Sequence, residues 1–241
     1  MADTMSWKWL PNALTLLRCV LAFVVGWSIL GIEAATQDMA RLISEAQELL
    51  SGVEALTAAT DQLDAIIIGM QKASALLVLP FLWFVLVAMT DFLDGSLARR
   101  LDAASEFGAF LDPIADKLLV AISLLALCQV ADWPLHLWVP ALVIISRDIM
   151  VTLLRLRREG TLPVTRLAKW KTAAEMIGIG GFLLGFAVQG LTGLFVDGFE
   201  DQRQAALIAV YAVSSLSLFL VWIAAVLSAY TGWLYLHSAR A

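Results

Sequence analysis

Charge is scarce in this chain. Only 15% of its 241 residues are Asp, Glu, Lys or Arg, and histidine and cysteine number two each. Each shortage excludes something. Hydrophobic residues make up 61% and the mean hydropathy is +0.83, whereas soluble domains sit nearer half apolar. The composition is that of an integral membrane protein. Disorder needs low hydrophobicity, so it is excluded for most of the chain. The two cysteines, Cys19 and Cys128, stand inside apolar runs. They form neither a disulfide framework nor a zinc pattern and read as small buried hydrophobes. The alternating ten-residue segments of an outer-membrane barrel are missing too, as are internal repeats and low-complexity tracts. No nucleic-acid partner is expected.

What is present is a set of long apolar runs. A membrane helix needs about 20 mostly apolar residues, and six stretches qualify: 12–32, 74–98, 110–131, 135–156, 173–195 and 205–236. The expected fold is all-α, a polytopic membrane protein with six transmembrane helices in a single domain over 1–241. The last run is long for one crossing and implies tilt or an overhang. Lys8 precedes the first run, but Arg18 interrupts it and it continues to Ile32. That pattern suits a retained span better than a cleaved leader.

Orientation follows from the basic residues. All of the 16 except Arg41, Lys72 and Arg203 fall on one side, which the positive-inside rule makes cytoplasmic. Both termini then lie in the cytoplasm, as six spans require. The expected location is a bacterial inner membrane. The segment 33–75 becomes an insertion on the outer face. Its apolar residues, among them Leu42, Leu49, Leu63 and Ile66, recur at near-helical spacing, predicting one or two amphipathic helices on the membrane or against the span ends. Trp7 and Trp9 before Pro11 predict a short N-terminal interfacial segment. In the fifth run, Gly181 and Gly185 stand four apart. That spacing permits close helix packing, within the fold or between two copies in a homodimer.

Acids interrupt this pattern in one place, TDFLDGSLARRLDAASEFGAFLDPIADK, residues 90–117. Asp91 and Asp94 are three apart, and Asp112 and Asp116 four apart, so each pair shares one helix face. A short connection makes the two helices antiparallel neighbours and brings four carboxylates to the same depth. Four ionised carboxylates repel, and each costs about 2.5–3.5 kcal/mol at membrane depth on insertion scales. A divalent metal resolves this. With no His or Cys nearby, the site suits Mg²⁺ or Mn²⁺, and two ions could clamp both sides of a displacement at phosphorus. Gly95, Gly108 and Ala98 leave room for a flat ligand, and Arg99 offers a fork suited to phosphate. Asp102 and Glu106 read as solvated loop residues. A proton or cation pathway is the other use of intramembrane acids, but these cluster at one helix end with no relay to the midplane.

Residues 91–116 read D-x2-D-G-x2-A-R-x8-G-x3-D-x3-D, through Asp91, Asp94, Gly95, Ala98, Arg99, Gly108, Asp112 and Asp116. This resembles the signature of the CDP-alcohol phosphotransferases. The resemblance implies a CDP-linked donor on a two-metal centre of Mg²⁺ or Mn²⁺, attacked by an alcohol with loss of CMP. It makes Asp91, Asp94 and Asp112 metal ligands and Asp116 the general base, which also shares a metal. Gly95, Ala98, Arg99 and Gly108 would line the cytidine and phosphate pocket.

Three further stretches resemble the phosphatidylglycerophosphate synthase branch of that family. They are PNALTLLR with Pro11, Asn12, Thr15 and Arg18; ISRDIMVTLLR with Arg147; and LAKWKTAAEM with Lys169, Lys171 and Thr172. Related cardiolipin synthases share the first two more loosely. This branch implies CDP-diacylglycerol and glycerol 3-phosphate as partners, with Asn12 and Thr15 toward the donor. A phosphate dianion would suit Arg147, Lys169, Lys171 and Arg18. The acceptor could instead be phosphatidylglycerol, serine or an inositol phosphate. The long segment 33–75 departs from the family pattern.

Overall fold

The computed structural model describes residues 10–51, 58–101, 106–157, 166–194 and 200–238; the side chains of 91–101, 106–110 and 112–113, with a few at other helix ends, lie outside that description. Six helices account for it: α1 Leu10–Ser51, α2 Ala58–Leu101, α3 Glu106–Val130, α4 Leu135–Arg157, α5 Arg166–Leu194 and α6 Glu200–Ser238. Five of them, all but α3, are long and apolar enough to cross a membrane among the described residues. The N-terminal segment with Trp7 and Trp9 lies outside the described residues.

The helices close into a ring. α1 packs on α2, α2 on α5, α5 on α6, α6 on α4, α4 on α3, and α3 back on α1. A smaller α3–α5 contact crosses the middle. Each helix therefore buries one stripe. On α1 the buried residues Thr15, Arg18, Ala22, Val25, Ile29, Ile32 and Ala35 recur every three or four positions. Its opposite face carries exposed Val20, Phe23 and Trp27, as lipid contact would allow. Leu77, Phe84, Leu124, Ile144, Ile179, Leu183 and Val221 fill the interior from the other helices. Cys128 is buried among them, while Cys19 is half-buried on α1.

One feature differs from the sequence expectation. Residues 33–51 do not form a separate amphipathic helix but continue α1, and α2 already begins at Ala58. The run from 33 to 51 contains neither Gly nor Pro, so nothing stops the helix where hydropathy falls. At 1.5 Å per residue, the 42 residues of α1 span about 63 Å, roughly twice a bilayer's hydrocarbon core. The two extensions pair with each other: a Cβ on Gly69 of α2 would stand 3.0 Å from Leu42 of α1. The expected meeting of α2 and α3 at their acidic turns falls on side chains outside the described residues. α1 packs against both.

The remaining corners follow local rules. α3 ends in a Schellman turn: Asp132 N–H donates to the Gln129 carbonyl at 3.1 Å, and Trp133 N–H to the Cys128 carbonyl at 2.7 Å. Asp132 takes the left-handed conformation there, with φ 57°, and Pro134 prevents continuation. Glycines set the closest helix approaches. A Cβ on Gly185 of α5 would lie 3.2 Å from Ser214 Oγ on α6. One on Gly190 would lie 2.5 Å from the Ser74 carbonyl oxygen on α2 and 2.9 Å from Leu77 Cβ. Backbone cannot yield there as a flexible side chain could. Gly190→Ala is therefore expected to lower the thermal unfolding midpoint. Gly31→Ala, at a site with nothing within 4 Å, should leave it unchanged or raise it slightly by improving helix propensity. Equal midpoints for the two variants would remove the α2–α5 approach as a constraint.

Candidate active site

Charged side chains from four helices gather at one end of the ring, joined by polar contacts from α6. On α1, Asn12, Thr15 and Arg18 follow one another at three-residue spacing along a common face. Thr15 and Arg18 are buried, and Arg18 is only 2% exposed. Its Nη1 reaches Asp116 Oδ1 on α3 at 2.9 Å. The Asp116 carboxyl group is half-exposed, so one partner of this pair faces the open side of the site.

The next residue on α3, Lys117, turns to α4. Its Nζ lies 3.2 Å from the Asp148 backbone carbonyl and 3.7 Å from Asp148 Oδ1. That same oxygen accepts from Arg147 Nη1 at 2.8 Å and from Lys171 Nζ on α5. Lys171 also pairs with Glu175 at 3.0 Å, one helical turn further on α5. Arg147 donates through Nη2 to Thr231 Oγ1 on α6 at 3.1 Å, and its guanidinium lies 5.6 Å from the Tyr235 ring centroid. Gly232 makes this reach feasible, because a Cβ there would sit 3.0 Å from Arg147 Cγ. Asp148, Lys171 and Glu175 are all buried.

The formal balance of this group is uneven. Lys117, Arg147 and Lys171 bring three positive charges, and Asp148 and Glu175 two negative ones. Buried ions need close partners to offset lost hydration, and among the described residues these groups supply them to one another. Several N–H donors gathered in one place suit an anion with several oxygen acceptors.

The structure thus brings Arg147 and Lys171 together and sets Arg18 beside Asp116. Lys169 is exposed and stands apart from the cluster, two residues from Lys171 and so on another face of α5. The side chains of Asp91, Asp94, Gly95, Ala98, Arg99, Gly108 and Asp112 lie outside the described residues. Their backbone is helical on α2 and α3, which keeps Asp91 with Asp94, and Asp112 with Asp116, on common helix faces. The donors at those four positions are all carboxylate oxygens, a set that fits a hard divalent cation. Sequence reasoning overlooked Asp148. Its only signal was an acid inside an apolar run beside Arg147. Glu175 carries a sequence signal too, its i,i+4 spacing from Lys171.

A family model described as CDP-alcohol phosphatidyltransferase matches residues 8–230. The chain belongs to that family. It is accordingly a transferase. A CDP-diacylglycerol–glycerol-3-phosphate 3-phosphatidyltransferase of Cereibacter sphaeroides is 37% identical over 174 residues, covering 65% of this chain and 79% of the relative. A protein of the same name from Pseudomonas fluorescens is 46% identical over 115 residues, covering 42% of this chain and 58% of the relative. A CMP-forming cardiolipin synthase of Oryza sativa is 42% identical over 107 residues, covering 39% of this chain and 32% of the relative.

Lys171 is the sole described cation between Asp148 and Glu175. Lys171→Met is expected to destabilise the protein by about 3 kcal/mol or more, since it leaves two buried carboxylates facing each other. Adding Glu175→Gln should restore part of that loss in thermal unfolding. A single variant as stable as the parent would mean that the pair is not held as an ion cluster.

Proposed function

We propose that this membrane transferase moves the phosphatidyl group of CDP-diacylglycerol to glycerol 3-phosphate, giving phosphatidylglycerol phosphate and CMP. One observation carries the reading: neighbouring residues of α3 serve two charge groups. Asp116 pairs with Arg18, and Lys117 joins the cation cluster around Asp148. A base for a hydroxyl and a seat for a phosphate thus stand side by side, as an acceptor carrying both groups requires. The relatives named for this reaction support the same choice.

In this mechanism Asp116 accepts the proton of the attacking hydroxyl, while Arg18 orients its carboxylate. The hydroxyl oxygen forms a bond to the phosphorus bearing the diacylglycerol, and the bond from that phosphorus to the CMP oxygen breaks. Arg147 and Lys171, aided by Lys117, hold the acceptor's phosphate. Arg99, Gly95, Ala98 and Gly108 line the donor's nucleotide side, with Asn12 and Thr15 on α1 nearby. Asp91, Asp94, Asp112 and Asp116 would hold two Mg²⁺ or Mn²⁺ ions, which when bound neutralise the donor's diphosphate. The site faces the cytoplasm, where the water-soluble acceptor is found and into which CMP leaves. The donor enters sideways between helices, because its acyl chains remain in the bilayer.

A panel of acceptors tests the reading on purified protein in lipid. With CDP-diacylglycerol and Mg²⁺ or Mn²⁺, CMP release should require glycerol 3-phosphate and stop on chelation with EDTA. Asp91→Asn should lower the rate by about 100-fold or more. Equal or faster release with phosphatidylglycerol, serine or inositol phosphate would replace the acceptor, and full activity in Asp91→Asn would remove the metal role. With a donor chiral at the reacting phosphorus, a single in-line displacement should invert configuration. Retention would instead require a covalent enzyme intermediate.

A further inference from the structure

Asp148 belongs to neither the eight-position signature nor the cations assigned to the acceptor. It is nonetheless the point at which those cations meet. Arg147, Lys117 and Lys171 arrive from α4, α3 and α5, and all three head groups lie within 3.7 Å of its Oδ1. Lys117 is held a second time by the backbone carbonyl of the same residue. Each of the other two has a further partner elsewhere, Glu175 on α5 for Lys171 and Thr231 on α6 for Arg147. Without a carboxylate at 148, those partners draw the two cations apart and mutual repulsion adds to the separation.

We propose that Asp148 is a positioning residue for the acceptor's phosphate. It focuses Lys117, Arg147 and Lys171 into one preorganised cation set beside Asp116, so that the enzyme takes an acceptor alcohol carrying a phosphate dianion. The inference rests on the glycerol 3-phosphate reading above. Two opposing effects decide the sign of its removal. Losing the carboxylate raises the formal charge of the cluster by one, which alone would tighten anion binding. It also frees three long side chains whose common geometry makes multidentate binding feasible. Geometry dominates here, because a phosphate must then gather cations already committed to separate helices.

The test compares full-length wild type with Asp148→Ala, Asp148→Asn and Asp148→Glu in lipid, following CMP release while each substrate is varied. In Asp148→Ala the KM for glycerol 3-phosphate should rise tenfold or more, with the KM for CDP-diacylglycerol and kcat both within about threefold of wild type. Asp148→Asn should lie between, and Asp148→Glu should recover most of the loss. The shift in unfolding midpoint given by glycerol 3-phosphate should shrink in the same order, which a purely structural role would not produce. If the alanine variant does not fold, the asparagine and glutamate variants carry the comparison. A fall in the acceptor KM, a parallel rise in both KM values, or a loss confined to kcat would overturn the proposal. If wild type instead uses another phosphorylated acceptor, the acceptor assignment fails while the same KM split with that acceptor upholds the role of Asp148. Use of an acceptor without phosphate would overturn both.

Discussion

One buried carboxylate, that of Asp148, organises the charged end of this membrane protein. Three cations converge on it, and through them four helices are tied together: α3 by Lys117, α4 by Arg147, α5 by Lys171, and α6 by the contact of Arg147 with Thr231. In lipid, apolar packing gives helices little reason to choose one another, because the tails are as apolar as leucine. Polar contacts and close steric fit supply the choice instead. Here the fit comes from Gly178, Gly181 and Gly185 along α5–α6 and from Gly190 against α2. The polar contacts lie at the other end of α5, from Lys171 to Glu175. α5 is thus fixed by charge near its start and by shape along its length.

The same arrangement separates structural from chemical demands. The interior of the ring is aliphatic, with Leu124, Ile144, Ile179 and Leu183 at its middle. Among the described residues, the buried ionisable groups Arg18, Asp148, Lys171 and Glu175 lie toward one end.

Much of this was legible in the sequence, and the failures have physical causes. The α3–α4 corner falls where Asp132, Trp133 and Pro134 end one apolar run and begin the next, so α3 and α4 match their expected limits within a few residues. α5 and α6 also match, with short extensions. The extensions of α1 and α2 were not legible as such, because hydropathy marks where lipid ends and not where a helix ends. Glu33 to Ser51 leaves the apolar regime without meeting a helix breaker. In the site, the pairing of Arg147 with Lys171 was foreseeable from their shared place near span ends. Asp148 was not, since an acid beside an arginine reads as a local counterion, and only the tertiary fold brings Lys117 and Lys171 to it. Lys169, which sequence grouped with Lys171, points elsewhere because neighbours two apart do not share a helix face.

The ring order has a consequence for biogenesis. The signature is carried by consecutive helices, yet α1, which precedes both in the chain, packs against each of them, and Arg18 from α1 reaches Asp116. α1 therefore supplies packing to both signature helices. At the other extreme, α4 gains its second neighbour, and Arg147 its hydroxyl partner, only when α6 is inserted. A nascent chain halted before α6 would hold every residue of the signature and still lack the closure that aligns its cations. Closure of the ring in this way waits on α6.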